Sequence, residues 1–295
     1  ETVYLQLDPK LHSEFIGHSL NFASSTIIAL TTEEEVVEEL SKGRKGTIIV
    51  EETPFYATSG GQVADKGCIS TDTGYFEVTD TINLPGNKIG HVGYVSSGSF
   101  KVHETVKLSI DERQRQDTAR NHSATHLLQK ALRSVLGNHI EQAGSYVDNK
   151  RLRFDFTHFQ ALTAEEIKKV EDIVNEQIQE SLIVNTEVMS IEDAKKSGAM
   201  ALFGEKYDDN VRVVSMGNYS MELCGGTHVV NTSNISVFKI IAETSIAAGV
   251  RRIEALTGRN VYDYYSNIEK TLNEVASLAK TDPSKLSHRI EHLLE

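Results

Sequence analysis

Two short motifs lying far apart in this chain make chemical sense only if the fold brings them together. The first, His122-Ser-Ala-Thr-His126, sits inside Asp111 to Leu136, a stretch of good helix formers that ends at the stop signal Gly137-Asn138. Four residues turn two side chains about 40° apart on a helix, so both imidazoles reach one ion from the same face. Ala124, Leu127, Leu128, Ala131, Leu132 and Val135 make the apolar face of this helix. The histidines lie roughly opposite its centre, on a polar stripe with Arg115, Gln129 and Arg133. That stripe reads either as bare surface or as the wall of a cleft.

The second motif, Cys224-Gly-Gly-Thr-His228, follows the strand-like Tyr219-Ser-Met-Glu-Leu223. Its two glycines let the backbone turn tightly enough to aim a thiolate and an imidazole at one point. One sulfur and three nitrogens are the donor set of tetrahedral zinc. His122, His126, Cys224 and His228 are therefore the candidate Zn2+ ligands. His12, His18, His91, His103, His139, His158, His288 and His292 lack such pairing and read as surface or structural residues, and Cys68 as a small buried strand residue.

The text around these motifs predicts a fold of class α+β. From Ser13 to Ile110 short β-like runs (Thr26–Leu30, Gly46–Val50, Tyr75–Thr79, His91–Val95, Val102–Ile110) are separated by turn residues, the pattern of a small barrel or sandwich. Within it, Ser59-Gly60-Gly61 demands a turn and places Gln62 beside exposed backbone. The acidic run Glu33 to Glu39 reads as a solvated helix. A second helix is predicted from Thr163, with Glu166 completing a capping box, to about Leu182. Strands are predicted at Arg151–Phe156, Ile183–Met189, Val211–Ser215, Val237–Ile241 and Val250–Leu256. After Gly258 a helical arm carries Val261, Tyr264, Tyr265, Ile268, Leu272, Val275 and Leu278, and Pro283 starts a last short helix. The expected domains are 1–110 (barrel-like, with an N-terminal linker), 111–258 (α+β, holding the metal site) and 259–295 (helical arm, a place for oligomer contacts).

A net charge of −12 argues against a protein that coats nucleic acid nonspecifically, so any RNA contact is local. The basic clusters available are Lys42, Arg44 and Lys45; Arg113, Arg115 and Arg120; and Lys150, Arg151 and Arg153. Two distant cysteines argue against a disulfide framework and point to a reducing, cytoplasmic setting. No apolar run is long enough to span a bilayer, and no signal peptide is visible. A start at Glu1 instead of Met suggests an excised piece.

Taken together, His122-Ser-Ala-Thr-His126, Cys224-Gly-Gly-Thr-His228, the upstream Phe55-Tyr-Ala-Thr-Ser-Gly-Gly-Gln62 with Ala64-Asp65, and the downstream Ala248-Gly-Val-Arg-Arg-Ile-Glu-Ala255 closely resemble the editing region of alanyl-tRNA synthetases. Free-standing alanyl-tRNA editing proteins share much of the pattern. The resemblance runs from about Phe15 to Gly258. It implies a small β-barrel domain packed on an α+β editing domain, and a C-terminal helical segment. It also implies hydrolysis of the ester joining serine or glycine to tRNA(Ala), the acceptor end of that tRNA being the partner, with no membrane or DNA involved. In the family the four metal ligands match His122, His126, Cys224 and His228, and Gln62 matches a residue at the editing pocket. Ser145 sits where relatives place a small hydroxyl residue near the substrate side chain.

On that basis Gln62 and Cys224 are the candidate catalytic residues, and Gln62, Ser145 and Thr227 the candidate substrate contacts. Four protein ligands would close a zinc tetrahedron, whereas a catalytic zinc keeps a position open. Five-coordination, release of one ligand, or an ion that only organises the pocket each resolve this. The leading expectation is a synthetase piece without the aminoacylation domain. The alternatives are a free-standing editing protein and a non-catalytic, zinc-stabilised RNA-binding module.

Overall fold

The computed structural model describes residues 2–201 and 207–295. The longer strands of the N-terminal half build its main sheet: β1 (Phe22–Thr31), β2 (Lys45–Val50), β3 (Gly67–Ser70), β4 (Tyr75–Leu84), β5 (Lys88–Ser97) and β6 (Thr105–Ile110). Period-two alternation drives their packing; in β6, Val106, Leu108 and Ile110 point inward while Thr105, Lys107 and Ser109 face water. The strands are ordered β6-β3-β4-β5-β2-β1, and β6 pairs back on β1, from Thr105 opposite Thr26 to Ser109 opposite Phe22. This closes a barrel and removes the sheet edges. Leu30, Ile48, Ile69, Phe76, Phe100 and Leu108 fill it and are fully buried.

The acidic run corrects the expectation of a helix. Val36–Val37 pairs with Leu30 and Thr31 at the end of β1, and Glu39–Ser41 pairs antiparallel with Ser99–Lys101. Leu40 is buried in the barrel core while Glu39 and Ser41 stay exposed, so burial of alternate residues outweighs the helix propensity of the glutamates.

His91, on β5, is wholly enclosed. Its Nδ1–H donates to the Ile48 carbonyl at 2.7 Å, which leaves Nε2 to accept the Thr53 hydroxyl at 2.7 Å. Burial holds this neutral imidazole down to about 4. In the unfolded chain it takes a proton from about pH 6.5, so stability is full above that pH and falls as the solution is acidified towards 4. We expect His91 to account for a loss on the order of 2 kcal/mol between pH 6.5 and 4.5. Urea unfolding at both pH values, compared with His91→Gln, measures it; an unchanged pH dependence in the variant would refute the assignment.

Beyond the barrel the chain runs α1 (Glu112–Leu136), β7 (Gln142–Val147), β8 (Leu152–Thr157), α2 (Ala164–Gln179), β9 (Val184–Ser190), α3 (Ile191–Lys196), β10 (Asn210–Met216), β11 (Ser220–Leu223), β12 (Phe238–Ala247), β13 (Val250–Thr257), α4 (Arg259–Leu278) and α5 (Leu286–Leu294). The class is α+β, as expected. An antiparallel sheet of order β7-β8-β13-β12 carries α1 and α2 on one face. Leu127 and Leu128 of α1 and Val170 and Val174 of α2 share its core with Phe154 and Phe156. The Thr163–Glu166 capping box opens α2. This helix stops at Gln179, short of the expected Leu182, and Ser181 follows in a left-handed conformation (φ 56°).

A smaller antiparallel sheet, β9-β10-β11, packs with α3, a helix the sequence reading left out although Ser190 caps it by accepting from the Asp193 amide. Gly258 (φ 56°) turns the chain from β13 into α4. Val261 and Ala276 of α4 are buried, whereas Tyr265, Ile268, Leu272, Val275 and Leu278 are exposed.

Candidate metal centre

Helix α1 follows β6 after Asp111, whose carboxylate accepts the Gln114 amide and caps the first turn. Its apolar stripe packs on the sheet, and its polar stripe is buried as well, so the cleft-wall reading is the correct one. Arg115 shows why. It lies 5% exposed against Asp65, its Nε donating to both carboxylate oxygens at 3.1 and 3.0 Å. Nη1 and Nη2 donate to the Gly17 and Pro54 carbonyls at 2.8 and 2.7 Å. Arg115 therefore leaves the list of basic residues open to RNA: it is consumed in joining α1 to the barrel. Arg120 is paired with Asp117, Arg151 with Glu254, and Arg153 lies 4.4 Å over the Tyr146 ring.

The Ser59–Gln62 turn docks on β7. Val63 and Val147 amides donate to the carbonyls of Val147 and Gly61, and Gly61 (φ 86°) approaches so closely that a Cβ there would lie 2.3 Å from the Ser145 carbonyl oxygen. Docking carries Gln62 into the interior, 1% exposed, which corrects the placement beside exposed backbone. Its Oε1 stands 2.7 Å from His122 Nδ1 and accepts the Thr227 amide at 2.9 Å, while Nε2 donates to Thr227 Oγ1 at 2.7 Å. Gln62 thus ties the barrel loop to both metal motifs, and Thr227 is buried with it.

From the other side, β11 delivers Cys224 and the turn that follows delivers His228. Gly225 faces open space, but a Cβ on Gly226 would lie 2.0 Å from the His122 ring. Neither glycine needs a positive φ; the second is demanded by close approach. The result is one cluster: the ligand atoms of His122, His126, Cys224 and His228 lie within 4.8 Å of one another. Cys224 Sγ is 3.4 Å from both His122 Nε2 and His228 Nε2.

The far nitrogen of each histidine is held by a different side chain. His122 Nδ1 meets Gln62, His228 Nδ1 meets Ser123 Oγ at 2.9 Å, and His126 Nε2 lies 3.2 Å from Glu222 Oε2. His126 Nδ1 remains a buried polar atom without a hydrogen-bond partner among the described residues. Such an orphan, facing a thiol and two imidazoles, is what a metal site presents. The cluster can hold a metal ion.

Electrostatics favours neutral ligands. Burial and the Arg212 guanidinium hold His122 down to about 4. Burial, neighbouring imidazoles and Arg212 hold His126 and His228 well below their ordinary value. Burial pushes the Cys224 thiol up to about 12 and the Glu222 carboxyl up to about 8. A thiolate here would need a positive charge beside it, which a bound divalent cation would supply.

A cleft of about 460 Å³ opens over the cluster, lined by His122, His126, Cys224, Ser145, Arg212 and Glu222 among others. Its size suits a small ligand or the end of a larger one. Ser145 lines it, and its hydroxyl has no hydrogen-bond partner among the described residues. Arg212 holds the metal loop by donating from Nη1 to the Cys224 and Gly226 carbonyls at 3.2 and 2.7 Å. Ser123, Arg212 and Glu222 were not singled out from the sequence. Ser123 and Glu222 stand inside or beside the metal motifs, which was the available signal. Nothing local marks Arg212, which the β10–β11 pairing brings beside Cys224.

Residues 2–114 match the family described as tRNA synthetases class II (A), and residues 211–254 the threonyl and alanyl tRNA synthetase second additional domain. Alanine–tRNA ligase 1 of Lachnoclostridium phytofermentans is 60% identical over 294 residues, covering 100% of this chain and 33% of the relative. The alanine–tRNA ligase of Acetivibrio thermocellus is 49% identical with the same two coverages, and that of Listeria monocytogenes is 50% identical over 281 residues, 95% of this chain and 32% of the relative. The chain spans about a third of the length of the curated relatives it matches. With Cys224 and His228 inside the residues matched to the second additional domain, the chain belongs to the alanyl-tRNA synthetase family and corresponds to its editing region.

Proposed function

We propose that this chain is an aminoacyl-tRNA deacylase that hydrolyses the ester linking serine or glycine to tRNA(Ala), with Zn2+ held by His122, His126, Cys224 and His228. The observation that carries the reading is the four-donor cluster lying against a cleft whose wall also presents an unpaired hydroxyl, Ser145. Ester hydrolysis requires an activated water, a stabilised oxyanion and a positioned carbonyl. Zinc, when bound, supplies Lewis acidity for the carbonyl or the water.

The chain's own residues do the rest. Ser145 hydrogen-bonds the hydroxyl of an esterified serine. Gln62, buried and saturated by His122 and Thr227, acts through them as a positioning residue, and Thr227 acts with it. Cys224 acts as a metal ligand. With a chain charge of −12, contact with the tRNA is confined to its acceptor end and a local basic surface. The cytoplasm is the compartment we assign.

Purified protein incubated with seryl-, glycyl- and alanyl-tRNA(Ala) tests this. Seryl-tRNA is expected to be cleared at least about tenfold faster than alanyl-tRNA, since a hydroxyl partner discriminates strongly against a substrate that leaves it unpaired. Ser145→Ala should lower the seryl rate by about tenfold and spare the glycyl rate. Equal rates on all three esters would remove the selectivity. Protection of the ester would instead favour a zinc-stabilised RNA-binding module.

A further inference from the structure

Glu222 has no place in the reading above, yet it is the most unusual charge near the metal cluster. It lies on β11, the strand that leads directly into Cys224, with its side chain only 12% exposed. Among the described residues no lysine or arginine pairs with it, and its one ionic neighbour is His126, Oε2 to Nε2 at 3.2 Å. A carboxylate enclosed in this way is costly unless a cation compensates it. On the far side of the same ring is His126 Nδ1, buried and unpartnered. His122 is arranged the opposite way round, with Nδ1 on Gln62 and Nε2 3.4 Å from Cys224 Sγ.

We infer that Glu222 is a further positioning residue of the metal site: it accepts the Nε2–H of His126, so that this histidine ligates through Nδ1 while His122 and His228 ligate through Nε2. The two histidines of one helix thus present different nitrogens to one ion, and the choice is made by a side chain on another element. A carboxylate behind a ligating imidazole both sets its tautomer and strengthens its donation. This inference rests on the metal reading of the cluster.

The test uses the whole chain, labelled with 15N-histidine and loaded with 113Cd2+. Cadmium–nitrogen couplings are expected at Nδ1 of His126 and at Nε2 of His122 and His228. Cadmium and zinc affinities, from competition with a chromophoric chelator, should fall about 10–100-fold in Glu222→Ala. Glu222→Gln retains an acceptor for Nε2–H, so it should keep the Nδ1 coupling with a smaller loss of affinity. Coupling of His126 through Nε2 in the unmodified chain would overturn the proposal outright, even if Glu222→Ala failed to fold. So would a Glu222→Ala protein whose affinity stays within about twofold of the parent. Absence of coupling at every histidine would defeat the metal reading itself, whereas a wrong nitrogen at His126 alone would leave that reading intact.

Discussion

Cys224→Ala is expected to lose stoichiometric zinc and to lower kcat/KM on seryl-tRNA(Ala) by roughly a thousandfold, while the folded far-UV spectrum is retained. The thiolate is the only anionic donor among the four ligands, and its removal leaves three neutral imidazoles facing a divalent cation. An ion that contributes several kcal/mol of charge stabilisation in the transition state corresponds to a rate factor of about that size. The fold should survive because the surrounding core does not depend on the ion: α1, α2 and the sheet pack around Leu127, Phe154 and Val174. Metal content by atomic emission, circular dichroism and single-turnover deacylation make the comparison. Full activity in a metal-free variant would end the proposal that the ion takes part in catalysis; unfolding would make it structural.

Arg115→Met should destabilise the protein by about 3–5 kcal/mol, because it strands Asp65 in the interior with the Tyr56 amide as its remaining hydrogen-bond donor and frees the Gly17 and Pro54 carbonyls. Urea denaturation reads the loss. A double variant, Arg115→Met with Asp65→Leu, should recover a large part of it, since removal of both charges eliminates the unpaired one. The effect should extend to the metal site. Asp65 and Gln62 belong to the same docked loop, so zinc affinity is expected to weaken in Arg115→Met and to return in the double variant. A single variant as stable as the parent would show that the pair does not hold the barrel to α1.

The legibility of the molecule follows the range of its interactions. The capping box of α2, the Asp111 start of α1 and the alternating strands of the barrel are set by neighbours a few residues apart, and they appear where propensity and period placed them. The acidic run was misread because its charges are visible locally while the pairing of Val36–Val37 with β1 and the burial of Leu40 are not. Arg115 was misassigned for the same reason. A cluster of arginines reads as a basic surface until its carboxylate, fifty residues earlier in the chain, is found beside it.

For the candidate metal centre, the residue spacing by itself picked out the four side chains, His122, His126, Cys224 and His228, that the structure brings together. Positions four apart on a helix share a face, and a strand followed by Gly-Gly delivers its two donors to one side; both are local rules. Only the tertiary structure decided how those side chains are held. Gln62 reaches His122 because the barrel loop docks on β7, Glu222 reaches His126 because β11 lies against α1, and Ser123 reaches His228 across the same contact. Which nitrogen each histidine turns towards the centre of the cluster depends on hydrogen bonds to residues with no fixed spacing from it, and such partners exist only once the layers have packed.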